Sequence, residues 1–248
     1  MLHGVLPYVI LQYIVNEELT TRIEEPVRLP PMDVLVRALG ISRGKLREEL
    51  LAAQAYGVVE MRPGDGTYVR PFEFYTAAHT LLLYSIACDW KNFEHFYELR
   101  VRLELGFWEE AVGRLNGADK NRLAQILEQA ERKLCGRPVE IPHREHRDFH
   151  LLIYSRLENR FVQDLLKAYW DAYEAVGLHR YFDLSYYEQM WHSHDQITEA
   201  ILTGRHQEGK DVLAAHFTLL DHRLHGTSDG SRETDVIPQK GGPPLAGR

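Results

Sequence analysis

Four histidines in the C-terminal half have the residue type and the spacing to bind one metal ion. His146 and His150 are four residues apart, so in a helix they lie on the same face. His194 and His216 each fall on the apolar face of a helical stretch. The apolar residues on those faces are Trp191, Ile197 and Ile201 beside His194, and Val212, Leu213, Leu219 and Leu220 beside His216. We therefore predict that the last two rings point into a hydrophobic core.

A buried imidazole needs a partner for each ring nitrogen, because an unpaired buried polar group costs about 1–3 kcal/mol. A divalent cation bound by several histidines in a helical bundle would supply such partners. Hydrogen bonds to carbonyl groups or tyrosine hydroxyls would do so equally well, and helical periodicity alone does not distinguish the two. The other histidines of these helices lie off the apolar faces or near helix ends and are predicted to be exposed: His192, His206, His222 and His225.

A second candidate site is a cluster of cations in the N-terminal part. Arg43, Lys45 and Arg47 follow closely after Ser42, which is a preferred N-cap residue. In a helix that begins there, the cations occupy the exposed first turn and a half. Arginine makes bidentate contacts with guanine, and lysine neutralises phosphate. The helix start is therefore a candidate for binding DNA, and the alternative is that the three cations are merely solvated.

The segment that must position these cations is predicted to contain three helices. Pro30 and Pro31 begin the second helix and Gly40 ends it, while Ser42 begins the third, which ends at Gly57. The short connection between Gly40 and Ser42 has helix-turn-helix spacing. The predicted inward residues are Val9, Ile10, Tyr13 and Ile14 in the first helix, Val34, Leu35, Ala38 and Leu39 in the second, and Leu46, Leu50 and Leu51 in the third.

A β-hairpin is predicted after the third helix. Residues 58–61 and 67–70 are short runs rich in β-branched and aromatic residues, and the connection Arg62-Pro63-Gly64-Asp65-Gly66 has the composition of a tight turn. The loop from Gly64 to Thr67 is small enough to approach a DNA backbone or minor groove closely. This hairpin would be the wing of a winged helix-turn-helix.

The rest of the chain is predicted to be entirely helical. Amphipathic stretches with short connections cover residues 75–88, 91–115, 118–135, 141–156, 159–183, 185–203 and 206–224. Seven helices with short loops indicate an antiparallel bundle. We therefore predict a mainly α protein with a DNA-binding domain over 1–72, a helical domain over 73–225, and a disordered tail over 226–248 that lacks an apolar face.

Bulk composition limits the classes of protein. Apolar residues make up 44% and charged residues 26% of 248 residues, as in ordinary globular proteins. The net charge of −7 does not favour DNA, so the DNA-binding interpretation depends on local geometry. Cys88 and Cys135 form no CxxC pair, which argues against a disulfide framework. No apolar run reaches the roughly 20 residues of a membrane span, so we expect a cytoplasmic protein.

The N-terminal motifs resemble the winged helix of GntR-type transcriptional regulators. The matching stretches are Leu29-Pro30-Pro31, Leu39-Gly40-Ile41-Ser42-Arg43, Leu46-Arg47-Glu48-Glu49-Leu50, Gly57-Val58-Val59 and Arg62-Pro63-Gly64-Asp65-Gly66-Thr67-Tyr68-Val69. The resemblance implies DNA contacts by Arg43, Arg47 and the wing near Gly66 and Thr67. The family has an arginine shortly after the Leu-Pro pair, where this chain has Met32-Asp33. An anion there is expected to weaken phosphate binding or to change the operator preference.

The helical half resembles the FCD ligand-binding domain of the FadR subfamily. The matching stretches are Tyr97-Glu98-Leu99-Arg100 through Glu104, Phe149-His150 followed by Asn159, His194-Asp195-Gln196-Ile197 with Ala200-Ile201, and His216 after Gly204. The resemblance implies a metal site made of His146, His150, His194 and His216. At the first of these positions the family has an aspartate. Four neutral imidazoles favour zinc, with nickel or copper as alternatives.

The same resemblance implies an effector site. Arg100 matches an arginine that faces the pocket in the family, and Asn159 belongs to a matching stretch. A planar guanidinium suits a carboxylate, so we expect a small organic acid that reaches both the metal and Arg100. The alternative for Arg100 is an ion pair with Glu104, four residues further on.

These features predict a homodimeric regulator, expected to be a repressor, that binds double-stranded operator DNA and releases it when the effector binds. A metal-free regulator that senses an acyl ligand is an alternative. A metal-dependent enzyme is the rival class, but the predicted pocket contains no carboxylate base and the N-terminal module would then have no purpose.

Overall fold

A computed structural model describes residues 5–19, 26–177 and 183–224, and in the last range it describes side chains as far as residue 219. The predictions for His222, for His225 and for a disordered tail over 226–248 lie outside these residues and side chains. Contacts divide the chain into two compact units, Met1–Leu81 and Leu82–Arg248. No helix in the described part is long and apolar enough to cross a membrane.

The helix-turn-helix forms through the caps that the sequence predicts. Helix α1 covers Val9–Asn16, α2 Met32–Leu39 and α3 Arg43–Ala55. Gly40 adopts the left-handed conformation at φ 64° and ends α2, and the Ser42 side chain accepts a hydrogen bond from the Lys45 backbone at the start of α3. Leucines and isoleucines from the three helices form the core of this unit; the most deeply buried are Ile10, Ile14, Leu35, Leu46 and Leu50.

The prediction that three further residues of this unit are buried is wrong. Val34 is 43% and Leu51 50% exposed, and Ala38 is also exposed. The helical rotation of about 100° per residue explains these errors. The buried face of α2 is centred between Leu35 and Val36, so Val34 and Ala38 point toward solvent. The buried face of α3 includes Ala53, so Leu51 points toward solvent.

The wing hairpin is present and belongs to a three-stranded sheet. Strands β2 (Val59–Arg62) and β3 (Gly66–Val69) pair antiparallel, with Val59 opposite Val69. A short strand β1, Val27–Arg28, pairs with the other edge of β3, so the order is β1-β3-β2. The sequence did not predict β1, because two residues before a proline-containing segment give no alternation pattern. Pairing with β1 fixes the wing to the segment that precedes α2.

All seven predicted C-terminal helices are present, and their boundaries agree with the prediction to within three residues except at one end. The helix predicted over 159–183 ends at Ala175, with Val176 as its C-cap residue. They are α4 Tyr75–Cys88, α5 Lys91–Arg114, α6 Gly117–Leu134, α7 His143–Ile153, α8 Arg160–Ala175, α9 Leu184–Thr203 and α10 His206–Leu224. The start of α6 is set by a reciprocal capping box between Asn116 and Asp119. Helix α10 packs against α9 and α5, and both α5 and α7 pack against α8. Three of these helices, α7, α9 and α10, carry the four predicted histidines.

Candidate metal centre and nucleic-acid interface

The four predicted histidines meet in the core of the helical unit. His146 and His150 lie on α7, His194 on α9 and His216 on α10. All four side chains are buried, and each offers a ring nitrogen such that these atoms lie within 4.8 Å of one another. The Nε2 atoms of His150 and His194 are 3.2 Å apart. The structure therefore supports the predicted convergence of the rings, which stood on periodicity and resemblance alone.

Three ring nitrogens in this cluster have no hydrogen-bond partner. They are Nε2 of His146, Nδ1 of His194 and Nδ1 of His216. Carbonyl and hydroxyl groups, the alternative partners considered above, therefore form no hydrogen bond with these three nitrogens. An unpaired buried polar atom is costly, so the donor set fits a bound cation.

Glu104 contacts the histidine cluster, which the sequence did not predict. Its Oε2 lies 2.7 Å from Nδ1 of His150, and its backbone oxygen accepts a hydrogen bond from the Tyr154 hydroxyl at 2.8 Å. Glu104 is completely buried. The expectation that the pocket contains no carboxylate is therefore wrong. Because Glu104 binds Nδ1 of His150, the Nε2 atom of this ring faces the other histidines. Metal-binding histidines commonly form such a hydrogen bond to a carboxylate through their second ring nitrogen.

Burial controls the protonation of the cluster. Burial, together with the neighbouring imidazoles, lowers the pKa of His146 and His194 well below the usual value. Burial likewise lowers the pKa of His150, although Glu104 opposes this. For Glu104, burial raises the pKa but Arg100 and His150 outweigh it, so the carboxyl pKa is lowered. The cluster thus combines neutral imidazoles, which have free lone pairs, with one ionised carboxylate.

Arg100 forms the predicted alternative pair and still has an unused donor. Its Nε donates to Glu104 Oε1 at 2.6 Å, and its guanidinium carbon lies 4.5 Å from the centre of the Tyr169 ring and 4.6 Å from that of Trp170. Its Nη2 has no hydrogen-bond partner, and neither do the Tyr169 hydroxyl, Trp170 Nε1 or Trp191 Nε1. Several buried donors around the histidines therefore remain available to a ligand.

Asn159 differs from this group of buried side chains in its exposure. It is the exposed N-cap residue of α8, and its side chain makes no capping hydrogen bond. Its predicted contact with an effector stays a prediction, and the burial of the histidine cluster does not favour it.

The predicted DNA-contacting cations lie on the outer surface of α3. Arg43, Lys45 and Arg47 are all exposed. Arg43 donates to Asp33, and Lys45 lies 3.7 Å from Glu49. Arg47 forms no ion pair with any described residue. The start of α3 thus presents three cations to solvent.

The wing depends on a glycine that touches another side chain. Gly66 has φ 144°, and a β-carbon there would lie 2.8 Å from Nε of Arg28. Arg28 in turn donates to the backbone oxygen of Asp65. The backbone oxygen of Thr67 accepts from the Leu29 backbone at 2.8 Å. The positive φ of Gly66 therefore favours glycine at this position, whereas the nearby atoms belong to the flexible end of the exposed Arg28 side chain.

Comparisons with known proteins agree with this architecture. Residues 95–219 match the FCD domain family. The chain is 23% identical over 204 residues to the HTH-type transcriptional regulator LutR of Bacillus subtilis, covering 80% of this chain and 92% of LutR. It is 26% identical over 200 residues to the Uxu operon transcriptional regulator of Escherichia coli, covering 79% and 75% respectively. The solved structure of Streptococcus agalactiae GntR has the same fold, with a TM-score of 0.64, 19% identity, and coverage of 86% of this chain and 96% of that one.

A winged helix followed along the chain by a helical effector-binding domain defines a transcriptional regulator, not an enzyme. The chain belongs to the GntR family, in the FadR-type group that carries an FCD domain.

Proposed function

We propose that the protein is a cytoplasmic, homodimeric repressor that binds a divalent transition metal and a small carboxylate effector in its helical domain. Operator DNA would be bound by Arg43, Lys45, Arg47 and the wing near Gly66. The observation that carries the proposal is the buried cluster of His146, His150, His194 and His216, in which three ring nitrogens have no partner.

The geometry of the cluster supports a transition metal. Zinc–nitrogen bonds are about 2.0–2.1 Å long, so two ligand nitrogens of a tetrahedral ion are about 3.4 Å apart. The four histidines offer nitrogens within 4.8 Å, so an inward movement of each nitrogen by about 0.7 Å would bring them into range. Imidazole ligands suit zinc, nickel and copper better than magnesium or calcium. Zinc is our first expectation and nickel the second. A bound ion would act as a Lewis acid that holds an anionic ligand.

Charge balance supports an anionic effector. Arg100 and Glu104 offset one another as a buried pair, and the four imidazoles are neutral, so a divalent ion would leave the site with an excess positive charge. A carboxylate would reduce that charge. It would also accept hydrogen bonds from donors that now lack acceptors, namely Nη2 of Arg100, the Tyr169 hydroxyl and Trp170 Nε1. A small hydroxy acid or similar carboxylate fits these requirements.

An apolar helix surface supports self-association. Helix α4 is rich in apolar residues along its length, yet Leu81 is 64% and Tyr84 69% exposed. Large exposed apolar side chains are typical of interfaces. A twofold dimer would also match two operator half-sites one helical turn apart. Effector binding would then alter operator affinity only if the effector binds one conformation of the dimer more tightly than another.

One set of measurements on the purified full chain tests the proposal. Elemental analysis should give about one zinc or nickel per chain, and native mass spectrometry should give a dimer with or without a small bound acid. Double Ala substitution of His150 and His194 should abolish the metal, while His192→Ala, an exposed residue on α9, should not. A wild-type protein that takes up no transition metal in equilibrium dialysis would refute the metal site. Absence of any sequence-selective DNA binding would refute the regulatory function.

A further inference from the structure

An exposed ion pair joins the starts of α2 and α3. Nη2 of Arg43 donates to Oδ1 of Asp33, and the two side chains are 69% and 66% exposed. We propose that Asp33 is a positioning residue for Arg43: it holds one edge of the guanidinium so that the other donors face a guanine at a fixed angle. The inference rests on the proposed binding of operator DNA by α3.

The ion pair between Asp33 and Arg43 contributes little to the stability of the fold. Exposed ion pairs contribute little to stability, and the core of this unit is formed by other residues. Asp33 also lies in the first turn of α2, where an acid interacts favourably with the helix dipole. This second role concerns the stability of α2 and does not require a contact with Arg43. A useful test must therefore separate base selection from stability.

An anion at a DNA-binding surface is unfavourable unless it has a specific role. Binding to DNA is driven by cations that displace counterions from phosphate, and Asp33 opposes this near the three cations of α3. A free arginine, however, loses side-chain entropy when it becomes fixed. An arginine already held by Asp33 loses less on binding. Asp33 therefore lowers general attraction to DNA while it favours one orientation of Arg43.

The chemistry of the guanidinium allows both contacts at once. Arginine has five N–H donors in a planar fork, and Asp33 uses one of those on Nη2. The donors on Nη1 and the second hydrogen of Nη2 remain for O6 and N7 of a guanine in the major groove. The first turn of a recognition helix is where such contacts are made.

Arg47 provides the contrast on the same helix. It is exposed, four residues after Arg43, and forms no ion pair with any described residue. An unrestrained arginine adapts to a phosphate or to more than one base. We therefore infer that Arg43 contributes mainly base selectivity and that Arg47 contributes mainly affinity.

The experiment is selection of binding sites from a randomised duplex library by the full-length protein. Wild type should enrich a motif with a guanine at one position of each half-site. Asp33→Asn, which keeps a good helix-start residue, should reduce the preference for that guanine about tenfold and should leave binding to unrelated DNA unchanged or tighter. Glu48→Gln removes a carboxylate from the exposed surface of α3 and is the matched charge control, which should retain the motif.

A double-mutant cycle completes the test. In an Arg43→Ala background, Asp33→Asn should have no further effect on selectivity at that position, because Asp33 acts only through Arg43. An unchanged motif in Asp33→Asn, an equal loss in Glu48→Gln, or additive effects in the double variant would each overturn the inference while leaving DNA binding intact. A wild-type protein that enriches no motif would overturn both the proposed function and the inference.

Discussion

His150 and Glu104 form a fully buried hydrogen bond of 2.7 Å between Nδ1 and Oε2, which joins α7 to α5. The carboxylate fixes the tautomer of the ring and increases the basicity of Nε2, the atom that faces the other histidines. Glu104 also accepts from Arg100 at 2.6 Å. One carboxylate therefore connects the proposed metal ligands to the cation proposed for the effector.

Replacing Glu104 by Gln should weaken metal binding about 10–100-fold, the usual effect of losing such an outer partner. The metal dissociation constant would be measured by competition with a chromogenic chelator. Because Arg100 also loses its counter-charge, the free protein should be less stable by about 3–5 kcal/mol, so folding is first verified by circular dichroism. Glu98→Gln, an exposed acid on the same helix, is the control. Equal metal affinity in both variants would contradict the role of Glu104.

Exchanging His146 for Asp should change metal preference. A carboxylate ligand is harder than an imidazole and brings a negative charge, so it favours manganese relative to nickel or zinc. Competitive dialysis against equimolar manganese and nickel should give a higher manganese share in the His146→Asp variant than in wild type. His192→Asp, on the exposed side of α9, should leave the ratio unchanged. An identical ratio in all three proteins would mean that His146 does not bind the metal.

The inward orientation of the histidines was predictable because each helix carries its own apolar face, and a histidine on that face must point inward. The expectation that the four rings meet in one site came from the resemblance to the FCD domain. The pairing of Glu104 with His150 was not predictable, because it depends on which face of α5 meets α7. The two residues are 46 positions apart in the sequence. Sequence periodicity fixes orientation within a helix but not the partner helix. The same limit applies to β1, which is too short to give a pattern, and to the pair between Asp33 and Arg43 on neighbouring helices.

Asp119→Asn should destabilise the helical domain in a pH-dependent manner. Asp119 accepts two hydrogen bonds from Arg156 at 2.9 and 3.0 Å and caps the backbone of Asn116. The contact with Arg156, followed by the bond to Asn116, lowers the pKa of the carboxyl. A lowered pKa stabilises the folded state above the unfolded pKa of about 3.9, and this contribution is lost as the pH falls through the folded value.

The loss at pH 7 should be about 1 kcal/mol, as for other helix caps. Thermal unfolding between pH 7 and pH 3 should show the difference from wild type shrinking with acidification. Asp195→Asn, at an exposed position of α9, serves as the control with little change at either pH. A difference for Asp119→Asn that is constant with pH would contradict the role of its charge.

Gly66→Ala should distort the wing. The φ of 144° is unfavourable for alanine, and the new β-carbon would lie 2.8 Å from Nε of Arg28. Strained backbone of this type costs about 1–3 kcal/mol, so the melting temperature should fall together with DNA affinity. Gly113→Ala is the matched control, because Gly113 lies in α5 with no atom within 4 Å of an added β-carbon. The control should be neutral or stabilised by about 0.5–1 kcal/mol.

Arg47→Ala should weaken binding to DNA with little dependence on sequence. Arg47 is exposed on α3 and forms no ion pair with a described residue, so its whole charge is available to the duplex. If Arg47 contacts one phosphate, the slope of log K against log salt concentration should fall by about 1. Electrophoretic shifts at several salt concentrations would measure this slope.

Arg132→Ala removes an exposed arginine of α6 that pairs with Glu128 and should leave the slope unchanged. A slope that does not differ between Arg47→Ala and Arg132→Ala would contradict a phosphate contact by Arg47.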